Sequence, residues 1–290
     1  MDTASHSISP AQLADALGRP DAPVVLDVRR LARFKESDFL LPGARHCAPE
    51  DVARFATELP RGDVVVYCVY GHEVGQQAAE TLRKAGWNAR FLAGGIEGGQ
   101  DGVDAAESVA NWRALPLPRI RKRPDLGVTG ERPSRWITRE RPKIDRVACP
   151  WLVRRFIDPL AEFYYVPTEK VFGEAKRLQA VPFDIGDAPI SHEWEKCSFD
   201  ALLKAFGLED PALAALATIV RGADTARLDL APQSPGLLAL SLGLSLLHAE
   251  DDHAMLAAAL PLYDALFAWC RDAQDERHSW SAHQVTVATR

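Results

Sequence analysis

Cys68 stands where two patterns meet. Val64, Val65 and Val66 form an unbroken β-branched run of the kind a parallel sheet buries on both faces, and the residues from Gln76 to Leu82 have helical periodicity. The cysteine is therefore expected at the carboxyl end of a strand, heading a short loop into a helix, where open α/β sheets place ligands. Loop amides of Val69, Tyr70, Gly71, His72, Glu73 and Val74, together with the helix dipole, would favour a thiolate, a persulfide or a bound oxyanion. The competing reading is a buried small hydrophobe, since free cysteine is among the most buried residue types.

Two further constellations could carry chemistry. From Arg119 to Arg155 the chain has twelve Lys/Arg against four Asp/Glu; with a net charge of −6 overall, the remainder carries about −14. Within that stretch Arg146 and Cys149 share one face of a helix expected over Asp145 to Phe156, bent or tolerated at Pro150, with Lys143 and Arg154 near its ends. Such a cluster could bind a tetra-oxo anion and offer it an oxidisable thiol. Its competitor is a surface ion-pair face with Cys149 and Trp151 in the core. The second constellation gathers His192, Asp224 and His253 at helix junctions as ligands for a divalent transition metal, although no H-E-x-x-H or H-x-H motif is present. Asp251 and Asp252 are more simply helix caps. No cofactor is demanded by these patterns.

The elements that must position these residues alternate. Ser9-Pro10 starts a helix through Leu17, Val24 to Leu26 is a strand, and Leu31 to Glu36 and Glu50 to Glu58 are helices. A strand over Ala89 to Leu92 and a Gly94-Gly95 turn follow the Val64 strand and the Gln76 helix, giving a parallel sheet with helices on both faces. Asp27 and Arg29 are expected to form a structural ion pair, and Gly98 to Asn111 is read as an insertion or extended final helix. Residues 119–134 form a basic, proline-containing linker that could meet DNA, or else lie as a solvated tether on an acidic partner domain. Beyond it come strands at Trp136 to Thr138, Glu162 to Val166 and Val181 to Ile185. Helices over Phe199–Phe206, Pro211–Val220, Pro235–Leu247 and Ala254–Ala273 complete a mainly helical α+β domain. The leucines between Leu237 and Leu247 suit a fully buried helix or a subunit contact.

At 290 residues, 47% hydrophobic and 26% charged, the chain fits two ordinary globular domains, here placed at 5–118 and 135–280. Its five cysteines are odd in number and contain no C-x-x-C pair, which argues for a reducing compartment, hence the cytoplasm. No stretch reads as a signal peptide or membrane span.

Asp27-Val28-Arg29, Leu41-Pro42-Gly43-Ala44, the loop from Cys68 to Val74, Gly94-Gly95-Ile96, and Trp112 before Leu115-Pro116 together resemble a rhodanese domain over about residues 5 to 118. The resemblance implies an α/β fold in which Cys68 carries a sulfane sulfur as a persulfide cradled by the amides of Val69 to Val74. This chain departs from the pattern in having no Arg or Lys between Cys68 and Val74. A carboxylate at Glu73 would oppose thiolate formation and repel thiosulfate, a protonated His72 would act oppositely, and Glu73 is otherwise a solvated first-turn residue. The run from Arg139 to Asp158, with Ser191-His192, Cys197 to Asp200 and Ile219 to Asp224, resembles the C-terminal domain of the chromate-resistance protein family over about residues 134 to 280. That resemblance implies a bacterial cytoplasmic protein of chromate resistance, some relatives being chromate-responsive regulators of an efflux transporter. The sequence thus points to sulfane sulfurtransfer at Cys68, from a small donor to an acceptor thiol or cyanide, serving chromate tolerance. A chromate-responsive DNA-binding regulator and a non-catalytic pair of oxyanion- or partner-binding domains are the alternatives, and oligomerisation is left open.

Overall fold

The computed structural model describes residues 6–58, 60–115 and 117–276; residue 5, Pro116 and residues 277–280 of the expected domains lie outside the described residues. The first half runs β1 (Ser7–Ile8), α1 (Pro10–Ala16), β2 (Val24–Asp27), α2 (Leu31–Glu36), β3 (Phe39–Leu40), β4 (Ala44–His46), α3 (Val52–Glu58), β5 (Asp63–Tyr67), α4 (Glu73–Lys84), β6 (Asn88–Leu92) and α5 (Ala106–Ala114). The Ser9 hydroxyl accepts from Gln12 N at 3.2 Å, Gln12 Oε1 accepts from Ser9 N at 3.0 Å, and Pro10 fills the first position, so α1 starts where the sequence places it. Five strands pair in parallel in the order β1-β6-β5-β2-β4, which makes β5 the central strand.

Alternation along β5 explains the valine run. Val64, Val66 and Cys68 enter one core with Phe55, Ala79 and Leu82, while Val65 and Tyr67 enter another that also holds Trp136, Trp151 and Phe156. The second half of the chain therefore covers the second face of this sheet, so both faces are dry and neither tolerates polar alternation.

The connector is docked rather than loose. β7 (Ile120–Arg121) pairs antiparallel with β3, Ile120 is fully buried, Lys122 Nζ lies 3.5 Å from the Phe34 ring centroid, and Arg123 donates to the Ala205 carbonyl at 3.1 Å. This corrects the solvated tether expected from the charges; one apolar residue among the cations is enough to seat the strand.

The second half contains β8 (Arg135–Arg139), α6 (Asp145–Leu152), β9 (Glu162–Val166), α7 (Val171–Leu178), β10 (Val181–Pro182), α8 (Ser198–Phe206), α9 (Pro211–Asp224), α10 (Ser234–Leu247) and α11 (Asp252–Ala268). A three-stranded parallel sheet, β10-β8-β9, packs with the helices. α6 contains Pro150 and passes into a π turn over Val153–Ile157. The strand expected to reach Ile185 stops at Pro182, and Asp184 turns away with φ 51. On α10 only the stripe Ser234, Leu237, Ser241 and Ser245 is buried, whereas Leu246 and Leu247 are 75% and 77% exposed, so the fully buried helix is not what forms. Asp251 caps α11 by accepting from Ala254 N at 2.9 Å, but Asp252 accepts from Arg141 N instead. α11 and its π extension, Asp252–Ala273, are long and apolar enough to cross a membrane by composition alone, yet Met255, Leu256, Ala259, Tyr263 and Phe267 are buried in the protein core.

Candidate functional site

Cys68 directly follows the last residue of β5 and lines a cavity of about 350 Å³ with Arg29, Arg30, Arg33, Val69, Tyr70, His72, Glu73 and Val74. The loop is braced from behind. Ile96 N donates to Cys68 O and Glu97 N to Val69 O, both at 3.0 Å, so the double-glycine turn is stitched to the cysteine loop. Gly95 has φ +59, and a Cβ there would lie 2.5 Å from Gly71 N, 2.5 Å from Val69 O and 2.6 Å from Cys68 O. Only glycine permits that approach. A Cβ on Gly75, in the first turn of α4, would sit 3.3 Å from Cys68 Sγ, which places the sulfur against the helix start whose first amides lack intrahelical acceptors.

Charges around the cavity differ from what the loop sequence alone implies. His72 Nε2 is 3.0 Å from both carboxylate oxygens of Asp104, and the Gln100 amide, followed by His72, holds Asp104 below its usual range. The acid-rich stretch after the double glycine thus anchors the loop histidine. Glu73 is exposed and accepts from Gln77 Nε2 at 2.8 Å, as a solvated first-turn residue would. Arg30 and Arg33, both exposed, bring the positive charge missing from the loop. Their place just after β2 is the signal that marks them, since parallel neighbours deliver their carboxyl ends to the same edge. Arg29 is engaged elsewhere. Buried with Asp27, it holds that carboxylate at 2.6 Å, and Tyr67 donates to Asp27 at 2.8 Å. The expected structural ion pair is present.

In the second half, three carboxylates converge on one imidazole. His192 Nε2 lies 3.6 Å from Asp145, 3.3 Å from Asp184 and 3.1 Å from Asp224. Ile144, just before Asp145, has φ 40 and ψ −94, an outlier for a β-branched residue. Its N–H donates to Ser241 Oγ at 3.1 Å and its carbonyl accepts from Tyr263 at 3.0 Å, so α10 and α11 pin the strained residue from both sides. Asp145 accepts from the amides of Ser198 and Phe199 at the start of α8, at 2.5 and 3.1 Å. Burial first, then Asp224 and Asp184, push its carboxyl up to about 8. Burial acts against Asp184 as well, but bonds from His192 and Ser198 and the charge of Arg139 hold it low, and the bonds to Asp184 and Asp224 raise His192 to about 10.

His192 and Asp224 therefore meet as the sequence reading placed them, whereas His253 does not join them. Its ring packs edge-on against Tyr165, with centroids 5.6 Å apart. The residues that the sequence reading missed, Asp145 and Asp184, sit in a basic run and after a short strand, where nothing in the local pattern marks them. Of the expected oxyanion cluster of Lys143, Arg146, Cys149 and Arg154, the last three have separate partners. Arg146 turns to Asp184 at 3.4 Å and to the Glu140 carbonyl, Cys149 is buried 3.8 Å from Asp145, and Arg154 stacks over Phe163 and lines a separate cavity between the two halves. Burial, with Asp145 nearby, keeps the Cys149 thiol far above its ordinary range. Cations of the connector have internal partners too: Arg119 bonds the Ile96 carbonyl and Lys122 the Phe34 carbonyl.

The parallel sheet with a cysteine at the carboxyl end of its central strand lies in the stretch, residues 9–101, that matches the family model described as rhodanese-like domain. Residues 136–270 match the model described as ChrB, C-terminal domain, so the chain joins a rhodanese-like domain to a ChrB C-terminal domain. It is 34% identical over 151 residues to Protein ChrB of Cupriavidus metallidurans, a match covering 49% of this chain and 45% of that protein. The chain thus spans about half the length of the curated relative that it matches. Among solved structures, a rhodanese homolog from Thermus thermophilus is 27% identical, covering 32% of this chain and 98% of that one with a TM-score of 0.27. The rhodanese-like domain of an Anabaena protein is 28% identical, covering 39% and 77% with a TM-score of 0.30.

Proposed function

We propose that Cys68 is a sulfur-carrying nucleophile and that its chemistry serves tolerance of chromate, the context that the pairing of a rhodanese-like domain with a ChrB domain supports. The observation that carries this reading is the placement of Cys68 Sγ against the first turn of α4, in a cavity that Arg30 and Arg33 also line. The thiolate attacks the outer sulfur of a sulfane donor, an S–S bond forms to Cys68, and the donor's remaining group leaves with the electron pair of the broken bond. Loop amides and the helix start stabilise the terminal persulfide anion. An acceptor thiolate or cyanide then attacks that terminal sulfur, and the Cys68 thiolate leaves. The arginines offset Glu73 and favour an anionic donor such as thiosulfate.

Transfer of sulfur from thiosulfate to cyanide tests the reading. Turnover by the intact chain that disappears in Cys68→Ser supports it; equal rates in the two proteins refute it. A DNA contact through the connector has less support, because its Arg119, Lys122 and Arg123 are engaged by carbonyls within the protein. Five free cysteines fit a reducing, cytoplasmic setting.

A further inference from the structure

We propose that His192, Asp145, Asp184 and Asp224 form a binding site for one hard-to-borderline divalent transition cation of the Mn²⁺ class. These residues come from separate elements: the start of α6, the turn after β10, the loop before α8 and the end of α9. Folding has gathered three acids that the chain keeps apart. Their side chains are 0%, 7% and 17% exposed for Asp145, Asp184 and Asp224, against 41% for His192, so the imidazole closes the site on its solvent side.

For Asp145, Asp184 and His192 the spacing is that of a coordination shell, and Asp224 reaches the same imidazole nitrogen. With metal–ligand bonds of about 2.1 Å, neighbouring donors of a tetrahedral or octahedral shell lie roughly 3.0–3.4 Å apart. The three carboxylate oxygens lie 3.1–3.6 Å from His192 Nε2, and ligand atoms of Asp145, Asp184 and His192 all fall within 4.8 Å of one another. An imidazole nitrogen can share a single proton, yet it faces three oxygens; a cation satisfies all of them at once.

The outer shell is built for ligands. Asp184 is oriented by Ser198 Oγ at 2.9 Å and by Arg139 at 3.1 Å, and Asp145 by two amides of α8. A second, independent observation comes from β8. Thr138 is fully buried and its hydroxyl has no hydrogen-bond partner among the described residues. By strand alternation it shares the face of Trp136, which packs in the same core as α6, and Phe183, next to Asp184, bonds to Ile137 beside it. A buried hydroxyl on that face of β8 is a polar group still in need of a partner. Three carboxylates and a single imidazole, with no thiolate, select against soft ions and suit Mn²⁺ or its neighbours.

The test uses the full chain, stripped with chelator and titrated with Mn²⁺ while free and bound ion are followed by electron paramagnetic resonance. One saturable equivalent is expected, with affinity reduced at least about tenfold in both His192→Gln and Asp224→Asn. Both positions are partly exposed, which limits damage to the fold. Pulsed spectra of the wild-type complex add a readout that needs no variant: coupling to one directly bound nitrogen. Absence of saturable uptake, absence of that nitrogen coupling, or unchanged affinity in either variant would overturn the assignment. None of these outcomes bears on Cys68.

Discussion

Replacing Gly95 with alanine puts a methyl group where the double-glycine turn meets the cysteine loop. Two costs follow. The residue keeps φ +59, a left-handed conformation that costs a non-glycine residue about 1–2 kcal/mol. The methyl also overlaps Gly71 N, Val69 O and Cys68 O at 2.5–2.6 Å, all of them backbone atoms that cannot rotate aside. Overpacking of that kind adds roughly 1–3 kcal/mol. Gly102→Ala supplies the control, because Gly102 has φ +74 with nothing within 4 Å of the added carbon, so only the first cost applies. Urea denaturation should therefore show Gly95→Ala less stable than Gly102→Ala by about 1–3 kcal/mol. In the same comparison, alkylation of Cys68 should change rate in Gly95→Ala alone, since relief of the clash moves the loop. Equal destabilisation by the two variants, or an unaltered Cys68 rate in Gly95→Ala, would refute the bracing argument.

Other outcomes follow from the same structure. Arg29→Ala strands the buried Asp27 carboxylate and should cost about 3–5 kcal/mol in urea denaturation, whereas Tyr67→Phe, which removes one bond to it, should cost about 1–2 kcal/mol. Thiol mapping by iodoacetamide and mass spectrometry should find Cys68 modified first at pH 8. Burial pushes Cys47 up to about 11, so roughly a thousandth of it is thiolate at that pH, and its rate should rise about tenfold per pH unit until pH 11. Arg30→Ala should raise KM for thiosulfate a few-fold at low ionic strength, with the difference shrinking as salt is added, because its exposed charge acts across solvent. A salt-independent defect would point to a fold effect instead.

Much of the first half is legible because its signals are local. The valine run, the capped helix after Ser9 and the glycine pair each carry their own instruction, and together they fix Cys68 at the end of the central strand. The strands Ser7–Ile8, Phe39–Leu40 and Ile120–Arg121 are only two residues long and have no sequence signal of their own. They exist because neighbours already in place offer them ladder partners, which no short window of sequence contains. The same limit governs the sites. Arg30 and Arg33 face Cys68 across a parallel strand pair, and Asp145 meets Asp184 and Asp224 only through the packing of four elements. His253, chosen for its proximity to acidic residues in the chain, points instead to Tyr165, because α11 is rotated by the burial of Met255, Leu256 and Tyr263. The arginine and lysine excess of the connector reads as a solvated basic tether, whereas Arg119, Lys122 and Arg123 donate to carbonyls on distant segments.

The most direct test of the central claim is intact-mass spectrometry of the protein after incubation with thiosulfate, with peptide mapping of any added sulfur. The account predicts one extra sulfur atom, located on Cys68, absent from Cys68→Ser and discharged by cyanide. Protein that gains no sulfur, or gains it equally with Cys68 replaced, would contradict it.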